Sequence, residues 1–455
     1  MFGVLGKGDN KKFLRGALFL AAGSFFAKVI GAVYRVPLTN LLQGEGIGLY
    51  QMVFPIYTLL LEFSGAAVPS ALSALISGYR GDNKKEYAER ILKNSVKIFF
   101  ITGLSGSLFL ALFGKPLSVI QGNSSAVFGY LFMAPAVLLT AVLSCYRGYF
   151  QGLMNMAPTA ISQIIEQTVK AGVGLLLVKL FMPNVALAVG GATLAVSLSE
   201  VAALIYTFIL FRKRRIGYLF SNDKKIFVSD LKSILKIAVP VSLLGTIMPL
   251  SGVSDTFFIV NILNGKGFNG TALYGLLSGA ANTIINLPVS LCYAISVVSI
   301  PAVSGAAKID AGIKERNSLI LTLIASVLFA IICFFAAPLG VNILFRSLND
   351  VDKQITVRLI RILSGNVVFL SVLQTVNSLH VARKTPYKPL IGLGFGVAVK
   401  TILFPILLNV QNNVYGGAIC FFACYFSACL INLLLLIKVG EKNAVKKSYD
   451  REFAN

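Results

Sequence analysis

The sequence predicts an all-α polytopic membrane protein with about twelve transmembrane helices in two six-helix lobes. Three observations lead there. First, 56% of the 455 residues are hydrophobic and 13% charged, with a mean hydropathy of +0.79. A soluble domain carries roughly 25% charged residues, so this chain has too few to cover a globular surface. Second, apolar runs of about 20 residues, enough to cross a bilayer, recur along the whole chain. Third, the 41 Lys and Arg outnumber the 18 Asp and Glu, a formal net charge of +23, and they gather in alternate loops.

The runs fall at 13–37, 47–78, 95–114, 124–148, 157–182, 185–211, 233–262, 272–302, 317–340, 356–380, 388–409 and 415–438. The first follows a basic start, "MFGVLGKGDNKKFLRGALFL", which superficially resembles a signal peptide. No small-residue cleavage site closes a short apolar core, and Lys28 and Arg35 interrupt the run, so it reads as a retained helix. The second and eighth spans are long and carry Pro55 and Pro69, and Pro288 and Pro301, so bent or broken helices are expected there.

The connections alternate in charge. Basic residues sit at Lys7, Lys11 and Lys12, then at Arg80, Lys84, Lys85 and Arg90, then at Arg147. They continue in the cluster Arg212 to Arg215 with Lys224 and Lys225, at Lys308, Lys314 and Arg316, and at Arg383, Lys384 and Lys388. The tail adds Lys442, Lys446, Lys447 and Arg451, whereas the other loops hold only Lys115, Lys266, Arg346 and Lys353. Twelve spans put every basic loop and both termini on the cytoplasmic side; an odd number would break the alternation. The excess charge is therefore loop charge and not the footprint of a nucleic acid, since no aromatic-and-basic stripe stands outside the spans. The six cysteines (Cys145, Cys292, Cys333, Cys420, Cys424 and Cys429) all lie in apolar runs without a CxxC, and His380 is the only histidine. Reduced buried thiols are expected, and no metal site.

An internal repeat divides the chain. "LTNLLQGEGIGLYQ" from Leu38 is answered by "IVNILNGKGFNGTALYG" from Ile259. Both end a helix, pass a Gly-x-Gly (Gly44 and Gly46; Gly265 and Gly267) and re-enter at Leu49–Tyr50 or Leu273–Tyr274. "VPSALS" at Val68 answers "IPAVSG" at Ile300, again about half the chain away. With an even number of helices per half, both halves enter the membrane in the same sense, a parallel repeat about an axis along the membrane normal. The expected organisation is a six-helix lobe with a cytoplasmic linker over 1–222, a second lobe over 223–440, and a charged tail over 441–455.

An ionisable side chain near the bilayer centre costs at least ~2.5–3.5 kcal/mol, so it faces a cavity or a partner. The candidates are Arg15, Lys28 and Arg35 in the first span, Glu62 in the second, and Glu166 and Lys170 in the fifth. Glu200, Asp255 and Lys400 follow in the sixth, seventh and eleventh. Lys28 and Arg35 are two turns apart on one face and would line the space between lobes for an anionic substrate; Arg35 also lies close enough to a helix end to snorkel. The stretch "RGYFQGLMNMAPTAISQIIEQ" ends the fourth span at Arg147 and starts the fifth at Pro158. Glu166 then lies about 12 Å into its helix. Either it forms a structural i,i+4 pair with Lys170, or it is a cavity-facing carboxylate for a coupling ion or proton. Asp255, flanked by Ser251 and Ser254, has the same two readings. "GLGFG" at Gly392 to Gly396 lacks a strand–turn–helix context and reads as a helix-packing face. No Walker sequence, catalytic triad or metal cluster is present, which argues against an ATPase and against an enzyme generally.

The stretch from Arg147 to Gln167, together with "GEGIGLYQMVFPIYTLL" and "LYGLLSGAANTIINLP", resembles the stage V sporulation protein B-like polysaccharide-biosynthesis proteins. These share a superfamily with lipid II flippases, O-antigen flippases and multidrug and toxin extrusion transporters. The resemblance is densest from residue 13 to about 306. It implies two six-helix lobes forming a V around a central cationic cavity for the pyrophosphate and sugar of a polyprenyl-linked precursor, with membrane lipid around the tail. Lys28, Arg35 and Arg147 would supply the substrate-binding cations, and Glu166 and Asp255 the Na+ or H+ coupling positions, with no other cofactor. It further implies the bacterial cytoplasmic membrane. Many relatives carry two further helices; "EKNAVKKSYDREFAN" is too short for one more span, so tail-groove details do not carry over. Three functions compete. A flippase for an undecaprenyl-linked oligosaccharide needs the basic cavity, and a cation-coupled exporter of small amphiphiles needs Glu166 and Asp255. A non-transporting scaffold leaves the buried charges and the repeat unexplained.

Overall fold

A computed structural model describes residues 7–79, 83–214, 224–304, 308–383, 385, 387–411 and 413–452. Arg80, Arg215 and Lys384 of the basic loops, most of the linker before residue 223, and residues 453–455 of the tail lie outside them. Every regular element among the described residues is helical, and ten stretches are long and apolar enough to cross a bilayer. One of these, Phe19–Gly78, is 60 residues long. About 20 residues suffice for a crossing, so it holds two passages.

Those two passages are α1 (Lys7–Leu61), a π-helical turn (Glu62–Ala66) and α2 (Val68–Gly78). The reversal is at Gln43, with φ 55 and ψ −164. α3 (Lys84–Ile120), α4 (Val127–Gly152), α5 (Ala157–Phe181) and α6 (Val185–Arg214) follow as single helices. α5 is not among the ten apolar stretches because Gln163, Glu166, Gln167 and Lys170 lie along it.

The seventh span is α7 (Lys224–Gly245) and α8 (Ile247–Gly265), interrupted at Thr246. The eighth is α9 (Gly270–Tyr274), a π-helical turn (Gly275–Ala281) and α10 (Asn282–Ser304). Both proline-bearing spans thus contain a π-helical turn, although the distortion does not fall on the prolines themselves. α11 (Lys308–Leu344), α12 (Asp350–Ala382), α13 (Pro389–Gln411) and α14 (Tyr415–Glu452) complete the chain, and α14 continues as a helix into the charged tail.

The repeat is visible in the backbone. Gln43 and Gly267, with φ 55 and φ 80, each precede their Leu–Tyr pair by six residues. Three residues on, a Cβ on Gly46 would stand 2.8 Å from Leu42 Cβ, and one on Gly270 would meet the Val260 carbonyl and stand 2.9 Å from Asn264 Oδ1. Each hairpin therefore folds back so closely that only hydrogen fits at that step. The matched glycine of the first hairpin is Gly46 with Gly270, a register shifted by three from the Gly-x-Gly pairing read in the sequence.

The chain forms two compact units, Met1–Phe257 and Phe258–Asn455, dividing within α8. In the first, α4 packs on α3, α6 and α2, while α5 packs on α6 and α1. α7 joins this unit through α2 and α3. Asp230 of α7 accepts from Asn94 at 2.8 Å and lies 3.2 Å from Arg90 Nε. In the second, α12 is central, packed on α11, α10 and α14, and α13 lies on α14. Arg383, after α12, donates to both oxygens of Glu315 on α11 and to the Leu436 carbonyl on α14 (2.6 Å), tying three helices together. His380 is buried between Thr385 (3.1 Å) and the Asn432 carbonyl (3.3 Å), a structural role.

Candidate functional site

The polar stretch between α4 and α5 folds so that its two ends meet. α4 ends at Gly152, and Met154 turns the chain with φ 61. Pro158, in the first turn of α5, starts the returning helix. Arg147 Nη2 then donates to Glu166 Oε2 at 2.9 Å, and its Nε donates to Ser162 Oγ at 2.9 Å. Ser162 donates onward to the Thr159 carbonyl at 2.8 Å. The other Glu166 oxygen accepts from Gln167 Nε2 at 2.9 Å. The side chains of the pair are only 12% and 18% exposed, so little water screens the charges.

This arrangement bears on the structural pair read for Glu166 in the sequence. Its partner is Arg147, on another helix, and not Lys170 one turn along its own. Both carboxylate oxygens are taken by Arg147 and Gln167, and no ion pair with Lys170 is formed among the described residues. Lys170 lies instead where the charges of Glu166, Arg35 and Glu200 act on it.

A second carboxylate completes the cluster. Glu200 on α6 is 4% exposed, and its Oε2 has no hydrogen-bond partner among the described residues. Its carboxyl lies against Thr140 of α4, with Glu166, Arg147 and Lys170 near enough to act on its charge. Tyr57 from the second passage hydrogen-bonds the same threonine at 3.2 Å. Sequence reasoning noted Glu200 as an intramembrane charge but did not join it to Glu166; only the packing of α5 on α6 does so.

α1 reaches this cluster by close packing on α5. A Cβ on Gly23 would stand 2.6 Å from Ala160 Cβ, and one on Gly31 would stand 3.0 Å from Gln167 Oε1. Ser24 donates to Gln163 Oε1 at 2.7 Å. The contact is polar where α5 is polar, which is why small and hydroxylic residues line that face of α1. Arg35 is half-buried and acts on Tyr50 and Lys170, whereas Lys28, on the flank of the contact, is exposed.

Asp255 is buried on α8, one turn after buried Ser251 and just beyond Gly252, where a Cβ would stand 3.0 Å from Pro55 Cβ. Glu62, in the π-helical turn, places its carboxylate against Gly245 at the α7–α8 interruption. In the second unit Lys400 is 3% exposed, its ammonium 4.8 Å from the Phe421 ring centre and 5.8 Å from that of Phe404. Aromatic faces thus accompany that buried cation.

The family described as polysaccharide biosynthesis protein matches residues 13–306. Stage V sporulation protein B of Bacillus subtilis strain 168 is 26% identical over 98% of this chain and 87% of its own length. Lipid II flippase MurJ of the same organism is 25% identical over 94% of this chain and 83% of its own. In fold, a multidrug resistance MATE family transporter of the MOP superfamily, solved in an inward-facing conformation, superposes with a TM-score of 0.75 at 16% identity. That match covers 95% of this chain and 99% of that one.

Proposed function

Because this chain belongs to the polysaccharide biosynthesis protein family, we propose that it is an alternating-access flippase for a polyprenyl-pyrophosphate-linked glycan. The precursor would be of the peptidoglycan or spore-cortex kind, moved across the cytoplasmic membrane with both termini inside. The observation that supports this reading is the largely buried cluster of the first unit, in which, among the described residues, Arg35, Arg147 and Lys170 stand with Glu166 and Glu200. Cations outnumber carboxylates at a depth where each charge is costly, which suits a site for an anion.

Arg147 is the centre of the mechanism. Its planar fork now donates to Glu166 and Ser162, and the same two edges match the oxygens of a pyrophosphate. A proton or Na+ arriving at Glu166 weakens its hold on Arg147 and frees the guanidinium for the substrate. Loss of that cation restores the pair and releases the anion. Lys28 and Arg35 on α1 contribute further positive charge, and Asp255 is the second coupling carboxylate.

The test is rescue of cells depleted of their lipid II flippase, with lipid II accessibility at the outer face as the measurement. The unaltered chain is expected to restore export. Lys28→Ala and Arg35→Ala are expected to abolish it while inserting normally, and full activity in both would remove the cationic site. A second reading, a cation-coupled exporter of small amphiphiles, draws on the buried acidic residues Glu166, Glu200 and Asp255. It predicts drug sensitivity on deletion and no effect on lipid II, and the basic face of α1 disfavours a cationic drug.

A further inference from the structure

The loops opposite to the basic ones hold few cations, yet three basic side chains converge on one cleft there. The cleft, of about 510 Å3, lies between the end of α11 and the start of α12 and is lined by Pro338 and Asn342 on one side and Gln354, Lys353, Arg358 and Arg361 on the other. Its size falls in the range of ligand clefts, roughly 300–1,000 Å3. Helical spacing explains the convergence. Phe334, Pro338 and Asn342 recur every four residues on α11, while Gln354, Arg358 and Arg361 form a column on α12. Arg361 Cζ stands 5.7 Å from the centre of the Phe334 ring.

Among the described residues the two arginines of the cleft are not balanced by carboxylates. Asp350, at the mouth, is 3.7 Å from Lys353. No carboxylate among the described residues forms an ion pair with Arg358 or Arg361, and both arginines are exposed. They occupy the first turns of the expected span 356–380, beside a helix whose outer surface is apolar: Phe335, Leu339 and Ile343 are 74%, 64% and 52% exposed. Two unpaired guanidinium groups facing acyl chains are costly unless they reach the headgroup layer and meet an anion there.

We infer that the α11–α12 cleft binds the phosphate of an anionic membrane lipid, with Arg358 and Arg361 gripping its oxygens. The acyl chains lie along Phe335, Leu339 and Ile343. The bidentate geometry of two guanidinium groups one turn apart suits a phosphodiester or pyrophosphate, and Asn342 and Gln354 supply neutral contacts at the polar end. This site is remote in sequence from Arg147 and Glu166 and does not depend on the transported substrate.

Native mass spectrometry of the full chain, titrated with phosphatidylglycerol, tests it. The chain is expected to retain one phosphatidylglycerol that phosphatidylcholine does not replace and that millimolar inorganic phosphate does not displace. Arg358→Ala with Arg361→Ala is expected to weaken this binding about tenfold or more, as for loss of charged hydrogen bonds. Arg358→Gln alone is expected to lose less. Arg346→Ala, exposed in the same turn but outside the cleft, is expected to leave binding unchanged. Equal affinity for the two lipids, unchanged binding in the double variant, or an equal loss in Arg346→Ala would each overturn the inference. Displacement by inorganic phosphate would equally overturn the lipid as the source of the phosphate.

Discussion

At Arg147 a structural role and a transport role make different predictions. Truncating one partner of a buried ion pair leaves the other charge stranded, which costs about 3–5 kcal/mol. Arg147→Ala and Glu166→Gln are therefore each expected to lower thermal stability, while the double variant recovers most of the loss, because neither stranded charge remains. Thermal unfolding in detergent measures that. Export separates the roles: if Arg147 grips the substrate, the double variant regains stability but stays inactive. A double variant that regained both would show the pair to be purely structural. Glu200 belongs to the same cluster, with one oxygen unpartnered among the described residues.

Among the elements, the two hairpin turns are the clearest pair. Gln43 holds a conformation, φ 55 with ψ −164, that is nearly exclusive to glycine, whereas its counterpart in the repeat, Gly267, is already glycine. Such strain costs of the order of 1–3 kcal/mol in a residue with a Cβ. Gln43→Gly is expected to stabilise the protein by about 1 kcal/mol, and Gly267→Ala to destabilise it by a similar amount. Thermal shifts of opposite sign would register this; a loss in Gln43→Gly would mean that the Gln43 side chain stabilises the turn by more than the strain it carries. The α1–α5 contact obeys the same steric logic, since the close approach at Gly23 and Ala160 is what carries Arg35 to the cluster.

For the whole molecule, the alternation of basic loops makes a directional claim. A membrane-impermeant thiol reagent applied to intact cells is expected to label Arg346→Cys, between α11 and α12. Asp310→Cys, at the start of α11, should react only after permeabilisation. Both positions are exposed, and five of the six native thiols are buried, with Cys333 partly so, which keeps the background low. The opposite pattern would invert the orientation and place the α11–α12 cleft on the cytoplasmic leaflet.

How much was legible beforehand follows from what a linear pattern can carry. Hydropathy and the sign of loop charges are sums over neighbours in sequence, so the sequence by itself determined the helical membrane class, the twelve spans, the repeat and the family. It also showed that charges lie where lipid should be. Which charges meet is a matter of helix packing, and that only the tertiary structure decided. The i,i+4 spacing pointed from Glu166 to Lys170, but the turn at Met154 and the Ser162 hydroxyl bring Arg147 there instead. Glu200 joined the cluster, and Arg358 and Arg361 converged on a cleft, because contacts between helices depend on rotation about their axes. That rotation is set by small residues and close approaches, such as those at Gly23 and Gly46, whose consequences no periodicity reveals.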